Sequence, residues 1–131
     1  MRTLMRMLGQ MNIVAFVPTT DYDKARAFYE GALGLRFVSN DGFAMVLDAN
    51  GISIRVVKVE FTPWPWTILG WDVPDIAAAA KTLGKNGVKF ESYGFPGQDK
   101  SGIWTAPSGD KVAWFKDPDG NTLSISQHVA G

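Results

Sequence analysis

Reactions at neutral pH need a nucleophile, a base, a metal cage or a fixed cation, and this chain is sparing with all four. It has no cysteine and one histidine, His128. Disulfides, thiolate zinc sites, a cysteine nucleophile and any site needing several imidazoles are thereby excluded. His128, close to the C-terminal end, reads as a solvated end residue. Asp117 and Asp119 could ligate calcium or magnesium, but Asp117-Pro-Asp-Gly120 is more simply a turn, with aspartates capping backbone amides and glycine taking a positive φ. Five tryptophans in 131 residues exceed what core filling requires. Trp64, between Pro63 and Pro65, and Trp66, just after Pro65, stand in a linker. The segment from Tyr93 to Gly102 carries Gln98, Asp99 and Lys100 between glycines; it is either a hinged cover over a site or an ordinary solvated hairpin loop.

Composition bounds what such groups serve. A chain of this length fits one ordinary domain and buries roughly two-thirds of its unfolded surface. Thirteen basic residues balance thirteen acidic ones, so no net field draws the protein toward nucleic acid or an anionic membrane, and neither is an expected partner. No apolar run approaches the ~20 residues of a membrane span. Residues 1–10 lack the apolar stretch of a signal peptide and read as an N-terminal extension before Met11, so a cytoplasmic location is expected.

The elements that must position these residues follow a repeating order. An apolar strand over residues 12–17 ends at Pro18; Asp21 caps a helix from Tyr22 to Leu33, closed by Gly34. Strands are expected over 35–40, 43–47 and 52–59, with Asp41-Gly42 and Asn50-Gly51 as turn signals. After the proline-tryptophan hinge come a strand over 67–73, Asp75 as cap, a helix from Ile76 to Lys85, and strands over 88–93, 103–106, 112–116 and 122–127. Asp21, Ala25, Leu35 and Phe37 match Asp75, Ala79, Val88 and Phe90. Residues 50–56 match 119–125 in the same way. The expected fold is α+β: two βαβββ modules, about 11–61 and 66–128, within a single domain over 11–131, forming a curved mixed sheet around a concave cup.

Asp21-Tyr-Asp-Lys-Ala-Arg-Ala-Phe-Tyr29, Leu33-Gly-Leu35 and Phe115-Lys-Asp-Pro-Asp-Gly-Asn121, set in this duplicated order, resemble the vicinal oxygen chelate superfamily of glyoxalase I, extradiol dioxygenases, and fosfomycin and bleomycin resistance proteins. The resemblance covers nearly everything after Met11. It implies a divalent-metal site at four points, which here are Val14, Arg55, Ile68 and Ser124. Two aliphatics, a cation and a lone hydroxyl cannot replace histidine and carboxylate ligands, so no metal and no other cofactor is expected. In the same register Arg55 points into the cup, where its planar donor fork suits a carboxylate or phosphate. An ion pair with Asp72 or Asp48, or an outward-facing arginine, is the alternative. The resemblance also implies that Trp114 lines the cup. Trp104 and Trp66 are candidate neighbours.

The reading that follows is a metal-independent small-molecule binding protein of the bleomycin-resistance type, a homodimer, holding an anionic aromatic or amphipathic ligand through Arg55, Trp114, Trp104, Trp66, Ser124, Val14 and Ile68. The alternative is a glyoxalase- or dioxygenase-like enzyme using Asp72, Glu91 or Asp99 as ligands or general base. A protein-interaction module resting on the N-terminal extension and exposed aromatics is a third.

Overall fold

A computed structural model describes residues 7–129. Residues 1–6 of the expected extension lie outside the described residues, and Leu8–Gln10 makes one 3-10 turn with no buried residue. The first half supplies β1 (Val14–Thr19), α1 (Tyr22–Arg26), β2 (Arg36–Asn40), β3 (Met45–Ala49) and β4 (Ile52–Lys58). The second supplies β5 (Thr67–Asp72), α2 (Ile76–Lys85), β6 (Trp104–Thr105), β7 (Lys111–Lys116) and β8 (Thr122–Gln127). Each half builds its own four-stranded sheet, β1-β4-β3-β2 and β5-β8-β7-β6. The first strand runs parallel to the last, and the others are antiparallel. The duplicated α+β architecture is therefore present as two curved, open sheets.

Local chemistry explains the starts of the helices. The Asp21 carboxylate accepts from the amides of Asp23 (2.9 Å) and Lys24 (3.2 Å), and Asp75 accepts from Ala78 at 3.1 Å, satisfying donors that a helix leaves free. Three expectations need correction. The helix from Tyr22 is α-helical only to Arg26 and continues as a π-helical segment, Ala27–Ala32. There the Leu33 amide donates to Phe28 (2.9 Å) and the Leu35 amide to Tyr29 (2.9 Å) as the chain leaves through Gly34. The first strand runs through Pro18 to Thr19, because β1 is an edge strand. The Pro18 carbonyl faces away from β4 and accepts from Asn121, so the missing proline donor lies on the side with no ladder to break. The strand expected over 88–93 is reduced to one bridge, Phe90 to Phe115.

One cluster of buried apolar side chains joins both halves: Val17, Leu47, Ile54 and Val56 from the first sheet, Ala113, Phe115, Leu123 and Ile125 from the second, and Tyr29 and Ile76 from the helical segments. Along each strand the alternate residues leave this core and stand on the opposite, open face.

A polar clip crosses the same boundary. Asp117, 6% exposed, accepts from the Asp119 and Asn121 amides (both 2.9 Å), from the Asn121 side-chain amide (2.8 Å) and from the Tyr29 hydroxyl (2.7 Å). The expected turn is thus present, with Gly120 at a φ of 87°, and it also binds the first half. Asn121 donates to the Pro18 carbonyl at 2.9 Å, and Asp119 accepts from the hydroxyls of Thr19 and Thr20 and from the Thr20 amide. Burial, then the Asp117 charge, push the Tyr29 hydroxyl far above the ordinary phenol range, so it remains a donor.

Tyr29→Phe keeps the ring and removes one donor from a buried carboxylate. It should cost about 1–3 kcal/mol, read by urea unfolding. Asp119 supplies a second test. Partial burial raises its pKa, but the Thr19 and Thr20 hydroxyls and the Thr20 amide outweigh this and hold it below the usual carboxylate value. A depressed folded-state pKa contributes stability that is complete above the unfolded value, about 3.9, and is lost as pH falls through the folded value. Melting temperatures followed downward from pH 6 should therefore fall more steeply for the parent protein than for Asp119→Asn.

Candidate functional site

The second sheet has a divided edge. Near one end of β7, Phe90 bridges Phe115 and the Glu91 amide donates to the Trp114 carbonyl at 2.8 Å; near the other end, Trp104 pairs with Val112. Between Glu91 and Trp104 the chain leaves the sheet edge and folds back over its open face. Tyr93 and Phe95 lie on this excursion, with ring centroids 5.6 and 6.0 Å from Trp114. Trp104 completes the group at 6.2 Å from Trp114 and 6.5 Å from Phe95. These edge-to-face and tilted contacts hold the rings without closing over them.

Beside this wall is a cavity of about 260 Å³ lined by Pro65, Trp66, Thr67, Tyr93, Phe95, Trp114 and Thr122. The two threonines stand beside an open aromatic surface on which Trp66, Tyr93 and Phe95 remain exposed, a combination suited to a planar ligand with a polar edge. Another cavity, about 240 Å³ between Leu33, Trp71, Leu83 and Phe115, has Thr82 as the polar side chain in its wall and offers little means of orienting a ligand.

The excursion is fixed in place. Gln98 donates to the Glu91 and Gly102 carbonyls (both 3.0 Å) and accepts from the Tyr93 amide at 2.8 Å. The Trp104 indole donates to the Pro96 carbonyl at 3.1 Å. At Gly102, with φ 94°, a side chain would place its first carbon 2.9 Å from Phe90, so glycine is required there for both conformation and space. Asp99 accepts from Ser101 and the Ile103 amide. These bonds, the Ser101 hydroxyl first, lower its pKa. It is the staple of a turn. These bonds hold the segment against Trp114, and most of its residues are exposed, as in the solvated hairpin loop considered from the sequence.

The expected site residues fall into two groups. Trp66 and Trp114 share the cavity and Trp104 touches its wall. Ser124, half-buried, pairs with Trp114 on β7 and with Gly70 on β5; a side chain at Gly70 would meet the Ser124 hydroxyl at 2.6 Å. Ile68 sits in the bulge where β5 shifts register and packs against the core. Arg55 and Val14 stand on the open face of the first sheet, Arg55 between Phe16 and Val46. They do not line the aromatic cavity. Arg55 makes no salt bridge among the described residues. Asp48 instead lies 3.8 Å from Arg36, and Asp72 is exposed opposite Ser126. Tyr93 and Phe95 line the candidate cavity and were not singled out from the sequence, although Tyr93-Gly-Phe-Pro carries two aromatics in a loop where burial is not expected.

At the four points where the resemblance implies metal ligands, the chain carries Val14, Arg55, Ile68 and Ser124. Among the described residues no three histidine, aspartate or glutamate side chains converge. This donor set does not fit a divalent ion. Asp72, Glu91 and Asp99 likewise form no cluster.

Paired βαβββ modules with a ligand-sized cavity on an open sheet face define the vicinal oxygen chelate class of proteins. The model of the Glyoxalase/Bleomycin resistance protein/Dioxygenase superfamily matches residues 10–125, and the chain belongs to that superfamily. Solved structures share the fold. TnmS3, an antibiotic binding protein from Streptomyces sp. CB03234, is 22% identical with a TM-score of 0.71, over 92% of this chain and 97% of that one. A superfamily member from Sphaerobacter thermophilus DSM 20745 is 25% identical (TM-score 0.69, 90% and 97% covered). Another, from Alicyclobacillus acidocaldarius, is 19% identical (TM-score 0.69, 92% and 93% covered). No significant sequence match was found among curated proteins. No helix among the described residues is long and apolar enough to cross a membrane.

Gln98→Leu removes three hydrogen bonds at one position and strands the Tyr93 amide. Hydrogen exchange over residues 93–102 should accelerate, with a stability loss of about 1–3 kcal/mol. Unchanged exchange would show that the aromatic contacts alone hold the wall.

Proposed function

We propose that this protein is a metal-independent small-molecule binding protein that holds an aromatic or amphipathic acid against the wall formed by Tyr93, Phe95, Trp104 and Trp114. The observation that carries the reading is the aromatic cavity of about 260 Å³ with Thr67 and Thr122 at its side. It supplies area and orientation, and sequestration needs nothing more. The likeness to TnmS3, described as antibiotic binding, supports binding over turnover.

Arg55 is the proposed anion anchor. It lies half-buried on an apolar strand face and has no acidic partner within 4 Å among the described residues. The same face carries Phe16, 64% exposed, and Val14, 44% exposed. Large apolar side chains on an edge strand invite a cover. We take the functional unit to be a homodimer in which a second copy covers this face and brings Arg55 to an aromatic wall.

The test is a titration of intrinsic fluorescence with planar aromatic carboxylates and their neutral amides, alongside native mass spectrometry. Saturable quenching and a dimer are expected. Trp114→Ala should weaken binding by about 1–3 kcal/mol. Arg55→Met should erase the preference for acids over amides at little cost in melting temperature. Added zinc, nickel or manganese should leave that temperature unchanged, since an ion bound only by the folded state would raise it. A saturable metal-induced rise, or no quenching by any aromatic acid, overturns the reading.

A further inference from the structure

The antiparallel register of β7 and β8 pairs Lys111 with Gln127 and Val112 with Ser126. Continued by one residue, it sets Asp110 opposite His128. Ser126 stands two residues before His128, on the same face of the strand. The side chains have met: the Ser126 hydroxyl is 3.0 Å from His128 Nε2, and His128 Nδ1 is 3.1 Å from Asp110 Oδ2. Asp110 is itself oriented by the Val129 amide, which donates to its other oxygen at 2.9 Å. His128 is solvent-exposed, as expected from the sequence, and is also tied at both nitrogens. With the carboxylate at Nδ1, the neutral ring carries its proton there and leaves Nε2 as acceptor for the serine hydroxyl. The Val129 amide first, and then His128, hold the Asp110 carboxyl below its ordinary value, so the carboxylate is ionised where the imidazole must be oriented.

We propose that Ser126, His128 and Asp110 form a nucleophile, base and orienting carboxylate that hydrolyse activated aryl esters. The order of atoms is that of a serine hydrolase relay, recognised by geometry and role and independent of fold. The serine oxygen attacks the ester carbonyl while its proton passes to Nε2. The carbon–oxygen bond to the aryl group breaks, and the phenolate leaves with that proton. Water then attacks the acyl-serine, giving up a proton to Nε2, and the serine oxygen departs with it as the carboxylic acid is released. Atoms and charges balance with water as the co-reactant. Asp110 acts through His128 and is a positioning residue.

The surroundings set the substrate class. His128 is 54% exposed and Asp110 32% exposed in their side chains, so a small ester reaches the hydroxyl from solvent. Ser126 shares the open face with Ser124 and Trp114, one step of roughly 7 Å along the strand. An aromatic group seated in the cavity would bring a short ester linkage toward Ser126. That preference for aryl groups rests on the binding reading above; the relay does not. Asp72, opposite Ser126 on β5, is the other acidic group in this row and disfavours anionic substituents at the ester end.

The experiment follows nitrophenolate release from 4-nitrophenyl acetate and maps the acylated residue by mass spectrometry of the stopped reaction. Acetylation at Ser126 is expected, lost in Ser126→Ala. His128→Gln should slow acylation by about 10²-fold. Asp110→Asn should slow it as well at an unchanged melting temperature, which a merely structural tie at the chain end would not do. Equal release by the parent protein and Ser126→Ala, label confined to lysines, or an Asp110→Asn protein of undiminished rate would each overturn the relay. Fluorescence titration separates the two readings. Should only the relay fail, Ser126→Ala and the parent quench alike and neither acylates; should only the binding reading fail, Ser126 is acylated while aromatic acids leave the fluorescence unchanged.

Discussion

A carboxylate removed from water must be paid in hydrogen bonds, and no single strand turn can supply enough of them. Asp117 receives two backbone amides and the Asn121 side chain from its own turn, and its further donor, Tyr29, comes from the other half of the chain. The clip therefore ties the helical segment of the first half to the turn that begins β8. Apolar contacts across the same boundary, such as Phe28 with Phe115 at 6.3 Å, are tolerant of sliding; directional bonds to a buried charge are not. The register of the two halves depends on this turn.

The duplication does not carry the clip to both sides. By the alignment of the halves, Asp48 and Asn50 stand where Asp117 and Asp119 stand, while Leu83 and Val73 replace Tyr29 and Thr19. Without a hydroxyl to meet it, Asp48 turns toward Arg36, and two cavities open nearby along Leu33, Leu35 and Trp71. One boundary is pinned by buried hydrogen bonds; its counterpart is left open, with an apolar cavity beside one whose lining includes Arg36, Asp48, Asn50 and Asp72. A repeat in sequence has become an asymmetric pair in structure.

The second departure from symmetry builds the candidate site. In the first half β2 is a five-residue edge strand, whereas in the second the corresponding edge is split into the Phe90 bridge and the two residues of β6. The chain released between them would expose its backbone groups. Gln98 satisfies three of them, and the aromatic side chains of the released segment pack on Trp114. A shortened strand, one amide side chain and a glycine at 102 thus convert a sheet edge into an aromatic wall.

The sequence alone determines the features governed by neighbours along the chain. Asp21 and Asp75 cap their helices because a short acceptor precedes free amides; α2 and β8 have the expected bounds; Asp117-Pro-Asp-Gly is a turn because its glycine permits a positive φ. Which side chains stand at Val14, Arg55, Ile68 and Ser124 is likewise written in the residues themselves, and none of the four is a histidine or carboxylate. What only the tertiary structure decided depends on which groups lie across from one another. Pro18 continues β1 because nothing pairs on its nitrogen side. The segment 88–93 reads as a strand, yet a neighbouring edge offers it only one bridge. Arg55 and Trp114, joined in the sequence reading, stand on the open faces of different sheets. Asp110, Ser126 and His128 are separated by up to eighteen residues and become one group through the pairing of β7 with β8, a register that composition and local spacing do not specify.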